Sequence, residues 1–471
     1  MPKNDYWKLS AYESAKLIKD GSISAEDLVS SCIERVNQTN NKINAIVDNL
    51  SEPALEKAYE LDKLTKKGKF KGPLHGVPIT IKENIDQKGY ATPNGLEALK
   101  DLIAPGNAPV VDNLEQDGAI VIGRTNTPEF SMRGTTDNVI HGRTYNPWND
   151  WASPGGSSGG ASAAVMSGMG SLAHGNDIAG SLRIPSTATG ACTVKPGLGR
   201  VPAFNPSQTQ ERGLVAQLMS VQGIIAREIK DVRLGMQSLI NYDPRDPWMV
   251  EMPFESKSVT SPIKIGYTKE TLGEVLHPAV DKALENAIEA LKDAGYILEE
   301  IVLPEFQDAT NYSARTLFGE LKALHEKDYK KLGSENFNLV ADNYFQIISP
   351  FEGEDLLLGM AKRSYFFREW NLFFRKYPLV LTPFLLYPTY EWDRDIQELE
   401  GTKEVLAGMF YAHTMNYMGI PAGVVSANYN DGLPVGVQII SSRFREDIIL
   451  QACEEIEKRV GIMAEKLFER G

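Results

Sequence analysis

Between Pro154 and Pro185 the chain reads PGGSSGGASAAVMSGMGSLAHGNDIAGSLRIP, and two serine-bearing glycine loops flank this segment's small-residue centre. The first loop is Gly155-Gly156-Ser157-Ser158-Gly159-Gly160; the second is Asp177-Ile178-Ala179-Gly180-Ser181. Glycine at this density lets a backbone approach a ligand closely and take positive φ. Backbone N–H groups exposed in such turns can hold a developing negative charge. A serine hydroxyl is a weak nucleophile near neutral pH and needs a base beside it. The six histidines, His75, His141, His174, His277, His325 and His413, form no recognisable triad arrangement. A lysine serves instead where burial lowers its pKa well below the usual ~10.4. Lys82 ends the apolar run Val77-Pro78-Ile79-Thr80-Ile81, where a solvated lysine is less expected. The competing readings are a Lys82 paired with Glu83 or Asp86, and a plain glycine-rich turn around Ser157 and Ser158. Taken together, these residues supply a nucleophile, a relay, a base and an oxyanion hole, which is the equipment of acyl transfer.

Regular elements must hold these loops. Apolar spacing predicts helices over 11–20 and 25–37, with Ser24 as N-cap and Asp27 three residues on. A short strand at 43–47 follows, then a helix near 52–66. Residues 77–82 read as a β-rich segment that fixes Lys82 at its end, and the small-residue segment between the two glycine loops as a tightly packed helix. A helix at 112–116 leads into a strand at 119–123. The pattern repeats later, with a strand at 265–267, a helix at 278–294 and a strand at 297–302. Residues 308–376 look mainly helical. A hairpin follows, 422–427 and 435–440 about the turn Asn430-Asp431-Gly432, and a last amphipathic helix spans 446–460. Strands alternating with helices argue for an α/β architecture. No internal repeat or Gly/Ser linker divides the chain.

Two rival motifs fail on context. Gly155-Gly156-Ser157-Ser158-Gly159 fits the Gly-x-Ser-x-Gly elbow, but that elbow needs a strand directly before it and 148–154 reads as loop. Gly168 to Ala173 mimics a dinucleotide fingerprint without a clear preceding strand or a suitably placed acidic residue, and close helix packing explains it better. The aromatic segment 365–374 reads either as a core helix or as the lining of an acyl pocket. The acidic patches at 353–355 and 391–400 read as solvated faces or loops.

Composition narrows the class. Among 471 residues, 49 are basic and 62 acidic, which argues against a general nucleic-acid binder. Cys32, Cys192 and Cys453 lie far apart with no metal-ligand spacing, as expected of idle thiols in a reducing compartment. The N-terminus MPKNDYWKLS lacks the apolar core of a secretory signal. No run reaches the ~18 apolar residues that span a bilayer. A cytoplasmic enzyme is the expectation, with no membrane partner.

The three motifs together, Gly-Val-Pro-x-x-x-Lys, Gly-Gly-Ser-Ser-Gly-Gly and Gly-x-Asp-x-x-Gly-Ser-x-Arg, resemble the amidase signature family of serine hydrolases. The separations match its Ser-Ser-Lys triad, 75 residues from Lys82 to Ser157 and 24 from Ser157 to Ser181. The resemblance extends to Gly118–Phe130, Thr144–Trp148 and Gly432–Gln438 and so covers nearly the whole chain. It implies one α/β domain over 1–471, a mixed central sheet covered by helices on both faces. The signature core would span about 70–230, and substrate-pocket and C-terminal elements about 231–471. It further implies Ser181 as nucleophile, Ser157 as a relay held by a cis peptide bond, and Lys82 as base. Ile178, Ala179, Gly180 and Ser181 would supply the oxyanion-hole N–H groups, braced by Asp177 and Arg183. Ser131 and Ser158 would lie against substrate. The family usually has glycine where this chain has Ala179; alanine keeps the N–H but disfavours positive φ.

The implied function is an amidase that needs no metal or cofactor. It would cleave a small-molecule amide to acid plus ammonia or amine through a seryl acyl-enzyme, with esters as side substrates and a homodimer as a plausible assembly. Specificity would be set by 200–215, 308–375 and 385–415. A second reading is the glutaminase subunit of a tRNA-dependent amidotransferase. That subunit continues after Gly199-Arg200-Val201 with a serine-, aromatic- and glycine-containing signature, where this chain has Pro202-Ala203-Phe204-Asn205-Pro206-Ser207. A third is a catalytically inactive binding protein on the same fold, against which the intact Lys82, Ser157 and Ser181 weigh.

Overall fold

The computed structural model describes residues 1–256 and 262–470. Its eleven strands are β1 (Ile46–Asn49), β2 (Pro78–Lys82), β3 (Ile120–Thr125), β4 (Leu172–Asp177), β5 (Cys192–Lys195) and β6 (Val221–Ala226), followed by β7 (Lys264–Tyr267), β8 (Ile297–Glu300), β9 (Leu379–Pro383), β10 (Ala422–Asn430) and β11 (Leu433–Ser441). They form one sheet in the order β1-β3-β2-β4-β6-β5-β10-β11-β9-β7-β8. β2 runs parallel to β3 and β4, and β7 parallel to β8 and β9, while the other pairings are antiparallel. The sheet is therefore mixed.

Period-two side-chain alternation builds a core on each face. Along β9, Leu379 and Leu381 join one cluster and Val380 the other. β11 behaves alike, with Val437 and Ile439 on one face and Ile440 on the opposite one. The first face is covered by helices 109–116, 229–239, 278–293 and 446–460. The second is covered by helices 306–332, 353–374 and 410–418. This is the α/β architecture expected, with helices on both faces of a mixed sheet. Asp431 and Gly432 both take positive φ, as a two-residue hairpin turn between β10 and β11 requires.

Three sequence expectations need correction. Residues 172–177 form β4, a central strand, not helix packing; the turn before it fits because Gly168 lies against the Trp7 ring, where a Cβ would stand 2.2 Å from a ring carbon. Residues 301–302 lie outside β8. The aromatic segment 365–374 needs none: it is the core helix of its first reading, packing Phe366, Trp370 and Phe374 inward and contributing nothing to the main cavity. Within 391–400, Asp395 is no solvated residue: it is 1% exposed and accepts both arms of Arg133 at 2.7 and 2.9 Å.

Candidate active site

Lys82 is the last residue of β2, a strand buried at every residue and paired in parallel along both edges with β3 and β4. Its Nζ lies 2.7 Å from Ser157 Oγ, 3.1 Å from Ser158 Oγ and 2.9 Å from Asn176 Oδ1. Glu83 instead meets His141, and Asp86 accepts from Ser207, so neither forms the ion pair offered as the competing reading. Burial pushes the Lys82 ammonium down to about 7, against the opposing pull of the Asp177 and Glu83 carboxylates.

The Gly156–Ser157 peptide is cis. Thr127 Oγ1 donates to the Ser157 carbonyl at 3.0 Å, and the helix Gly159–Met166 starts directly after Ser158. That helix must be built of small residues: a Cβ on Gly160 would stand 2.5 Å from the Asn126 backbone nitrogen. Ser158 is fully buried under Lys82 and its hydroxyl donates to the Asn176 carbonyl at 3.3 Å. It does not line the cavity, so the expectation that it touches substrate is corrected. Ser131 does line the cavity, held by Asn84, Thr127 and Asn94 at 2.9, 2.9 and 2.6 Å.

Ser181 also lines the cavity, and its hydroxyl has no hydrogen-bond partner among the described residues. The loop before it is braced as expected. Asp177 accepts from the N–H groups of Gly180 at 2.7 Å and Leu182 at 3.2 Å, and from Arg183 Nε at 3.0 Å. This corrects one expectation: the Gly180 N–H is engaged by Asp177, whereas those of Ile178, Ala179 and Ser181 meet no protein acceptor among the described residues. Gly180 takes φ +116°, whereas Ala179 is absent from the positive-φ residues, so alanine sits there without backbone strain.

Sequence reasoning passed over Asn176 and Asn84. Asn176 joins Lys82 to Asn84, its Nδ2 donating to Asn84 Oδ1 at 2.9 Å, and Asn84 reaches on to Ser131. The signal available was their adjacency to Lys82 and Asp177 in the motifs, though only the pairing of β2 with β4 brings the two asparagines together.

Above Ser181 opens a cavity of about 700 Å³. One part of its wall is apolar, with Met132, Ile178, Ile184, Leu317, Phe318 and Met409; another carries Gln208, Arg212 and Gln217. All three segments expected to set specificity reach it. No helix among the described residues is long and apolar enough to cross a membrane.

Comparison with known proteins shows the family. The Amidase family model matches residues 27–450, and the chain belongs to that family. It is 42% identical to an indoleacetamide hydrolase of Bradyrhizobium diazoefficiens, over 99% of this chain and 90% of that protein. It is 29% identical to a glutamyl-tRNA(Gln) amidotransferase subunit from Moorella thermoacetica, over 96% of this chain and 97% of the other. Among solved structures, a bacterial aryl acylamidase of the amidase signature family superposes with a TM-score of 0.82 at 26% identity, covering 98% of each chain. The protein is an amidase, a hydrolase of carbon–nitrogen amide bonds.

Proposed function

We propose that the chain hydrolyses a carboxamide through an acyl-enzyme on Ser181, with Ser157 as proton relay and Lys82 as base. The observation that carries this reading is the 2.7 Å contact between the buried Lys82 Nζ and Ser157 Oγ. A neutral amine has two hydrogens and one lone pair. The Ser158 hydrogen goes to the Asn176 carbonyl, so Lys82 gives its two hydrogens to Ser158 Oγ and Asn176 Oδ1. Its lone pair then receives the Ser157 hydrogen.

From this arrangement the steps follow. Ser181 Oγ attacks the amide carbon and passes its proton to Ser157, whose own proton moves to Lys82. The oxyanion rests on the free N–H groups at 178, 179 and 181, each donor worth on the order of 100- to 1000-fold in rate. Collapse expels the amine, protonated back along the relay. Water, deprotonated the same way, attacks the acyl-Ser181 ester and releases the acid.

The similarity to an indoleacetamide hydrolase and the apolar side of the cavity support an arylacetamide as substrate. The departure at 202–207 and the lower identity to the amidotransferase protein favour a free-standing enzyme over one that needs partner subunits. Three buried free thiols favour a reducing, cytoplasmic setting. A homodimer is proposed on the family resemblance. The test is ammonia release from indole-3-acetamide by the parent, Ser181→Ala and Lys82→Ala. Loss in both variants with folding intact supports the mechanism; undiminished turnover in Ser181→Ala overturns it, and activity on glutamine only with added partner subunits favours the second reading.

A further inference from the structure

The helix Phe410–Met418 lies directly on the nucleophile loop, and two of its residues are tied there. Arg183 Nη2 donates to the Ala412 carbonyl at 2.9 Å, and Asn416 Nδ2 donates to the Asp177 carbonyl at 3.1 Å. Between these anchors His413 forms part of the cavity wall. Its position relative to Ser181 is therefore fixed by the same residues that brace the nucleophile.

The tautomer of His413 follows from its partners. Ser313 Oγ lies 2.8 Å from the Thr310 carbonyl and 2.6 Å from His413 Nδ1. Two acceptor oxygens at 2.8 Å need a hydrogen between them, so the one hydroxyl hydrogen of Ser313 points at Thr310. The short contact to the ring must then be filled from the other side, by an Nδ1–H donating to Ser313 Oγ. Nε2 is left with a bare lone pair and no protein partner among the described residues. Burial, with Arg183 nearby, pushes the imidazole down to about 4, so the ring stays neutral at neutral pH.

We propose that His413 selects the acyl group: Nε2 accepts a hydrogen bond from an N–H or O–H on an aromatic acyl moiety, favouring heteroaromatic amides that carry such a donor over isosteric rings that lack one. This assignment rests on the arylacetamide reading above. Leu317, Phe318 and Met409 supply apolar surface in the same cavity, and a hydrogen-bond acceptor beside apolar walls discriminates well, because a bound substrate without a donor covers the nitrogen and leaves it unsatisfied. Ser313, which touches no substrate, acts as a positioning residue by holding the tautomer.

The test compares kcat/KM for indole-3-acetamide and benzothiophene-3-acetamide, rings of similar size of which only the first bears an N–H. The parent is expected to favour indole-3-acetamide by about 10-fold or more. His413→Phe should bring the ratio to within about twofold, and Ser313→Ala, which frees the tautomer, should give an intermediate ratio. A parent ratio near one, or an undiminished ratio in His413→Phe, overturns the assignment. The parent comparison needs no variant, so a misfolded His413→Phe leaves the question decidable. A parent that hydrolyses neither amide overturns the arylacetamide reading itself, an outcome distinct from a ratio of one.

Discussion

Gly180 and Ala412 touch so closely that a Cβ on Gly180 would stand 2.7 Å from the Ala412 Cβ. The same position takes φ +116°, where an L side chain is strained. The loop 177–181 is thus pressed against the helix 410–418, and only glycine fits between. Gly180→Ala should displace Ile178, Ala179 and Ser181 together and cut kcat/KM by more than about 100-fold, the worth of an oxyanion donor. Steady-state kinetics with a circular-dichroism control would check it; near-parent activity would mean that the loop geometry does not set the rate.

Activity should follow the protonation of Lys82. The amine accepts a proton only when neutral, and burial holds its pKa near about 7. Three titratable groups face it: Asp177 and Glu83 favour its charge, while His174, itself pushed down to about 3 by burial and by Lys82, stays neutral. The parent kcat/KM should therefore rise with pH through a limb near 7 and level off above it. Asn176→Asp sets a carboxylate beside Nζ and stabilises the ammonium, so the limb should move up by roughly one unit or more. A limb that stays in place would remove Lys82 from the role of base.

The acyl-enzyme reading has a direct mass signature. Ser157→Ala should slow turnover by roughly 100- to 10,000-fold, the usual worth of a positioned proton carrier. An activated ester, whose leaving group needs less protonation, should still acylate that variant. Intact-protein mass spectrometry followed by peptide mapping should find the acyl group on Ser181. Label on Ser158 would reassign the nucleophile.

The sequence made much of this site legible, for physical reasons that differ residue by residue. Lys82 stood out because a charge ending an apolar run has few solvated explanations, and the structure seals that strand between β3 and β4. The hairpin at 422–441 was readable because its turn residues encode its backbone. β4 was not, because His174 and Asn176 break its apolar run and the glycines before it suggest a turn or a packed helix. The difference between Ser157 and Ser158 was equally hidden: two adjacent serines look alike in a glycine loop, both are buried against Lys82, and only the path of the chain brings Ser157 to the cavity wall as well. Ala179 looked awkward because a glycine-rich loop suggests positive φ throughout, whereas the structure places it at Gly180.

The pairing of Arg133 with Asp395 shows the limit of local reading, since 262 residues separate them. The side chains are 3% and 1% exposed, and two parallel hydrogen bonds join them. Asp395 reads as surface in its own acidic stretch because burial of a carboxylate depends on a partner the stretch does not contain. Removing the carboxylate leaves a buried guanidinium with only the more distant Asp137 and Asp393, at 3.8 and 3.6 Å. Breaking a buried pair in this way costs about 3 kcal/mol or more. Asp395→Ala should lower the urea midpoint accordingly. Because Arg133 also lines the cavity beside Met132, it should raise KM more than it lowers kcat. A variant as stable as the parent would show that water or a neighbouring carboxylate takes over the arginine, and that the pair does not hold this wall of the cavity.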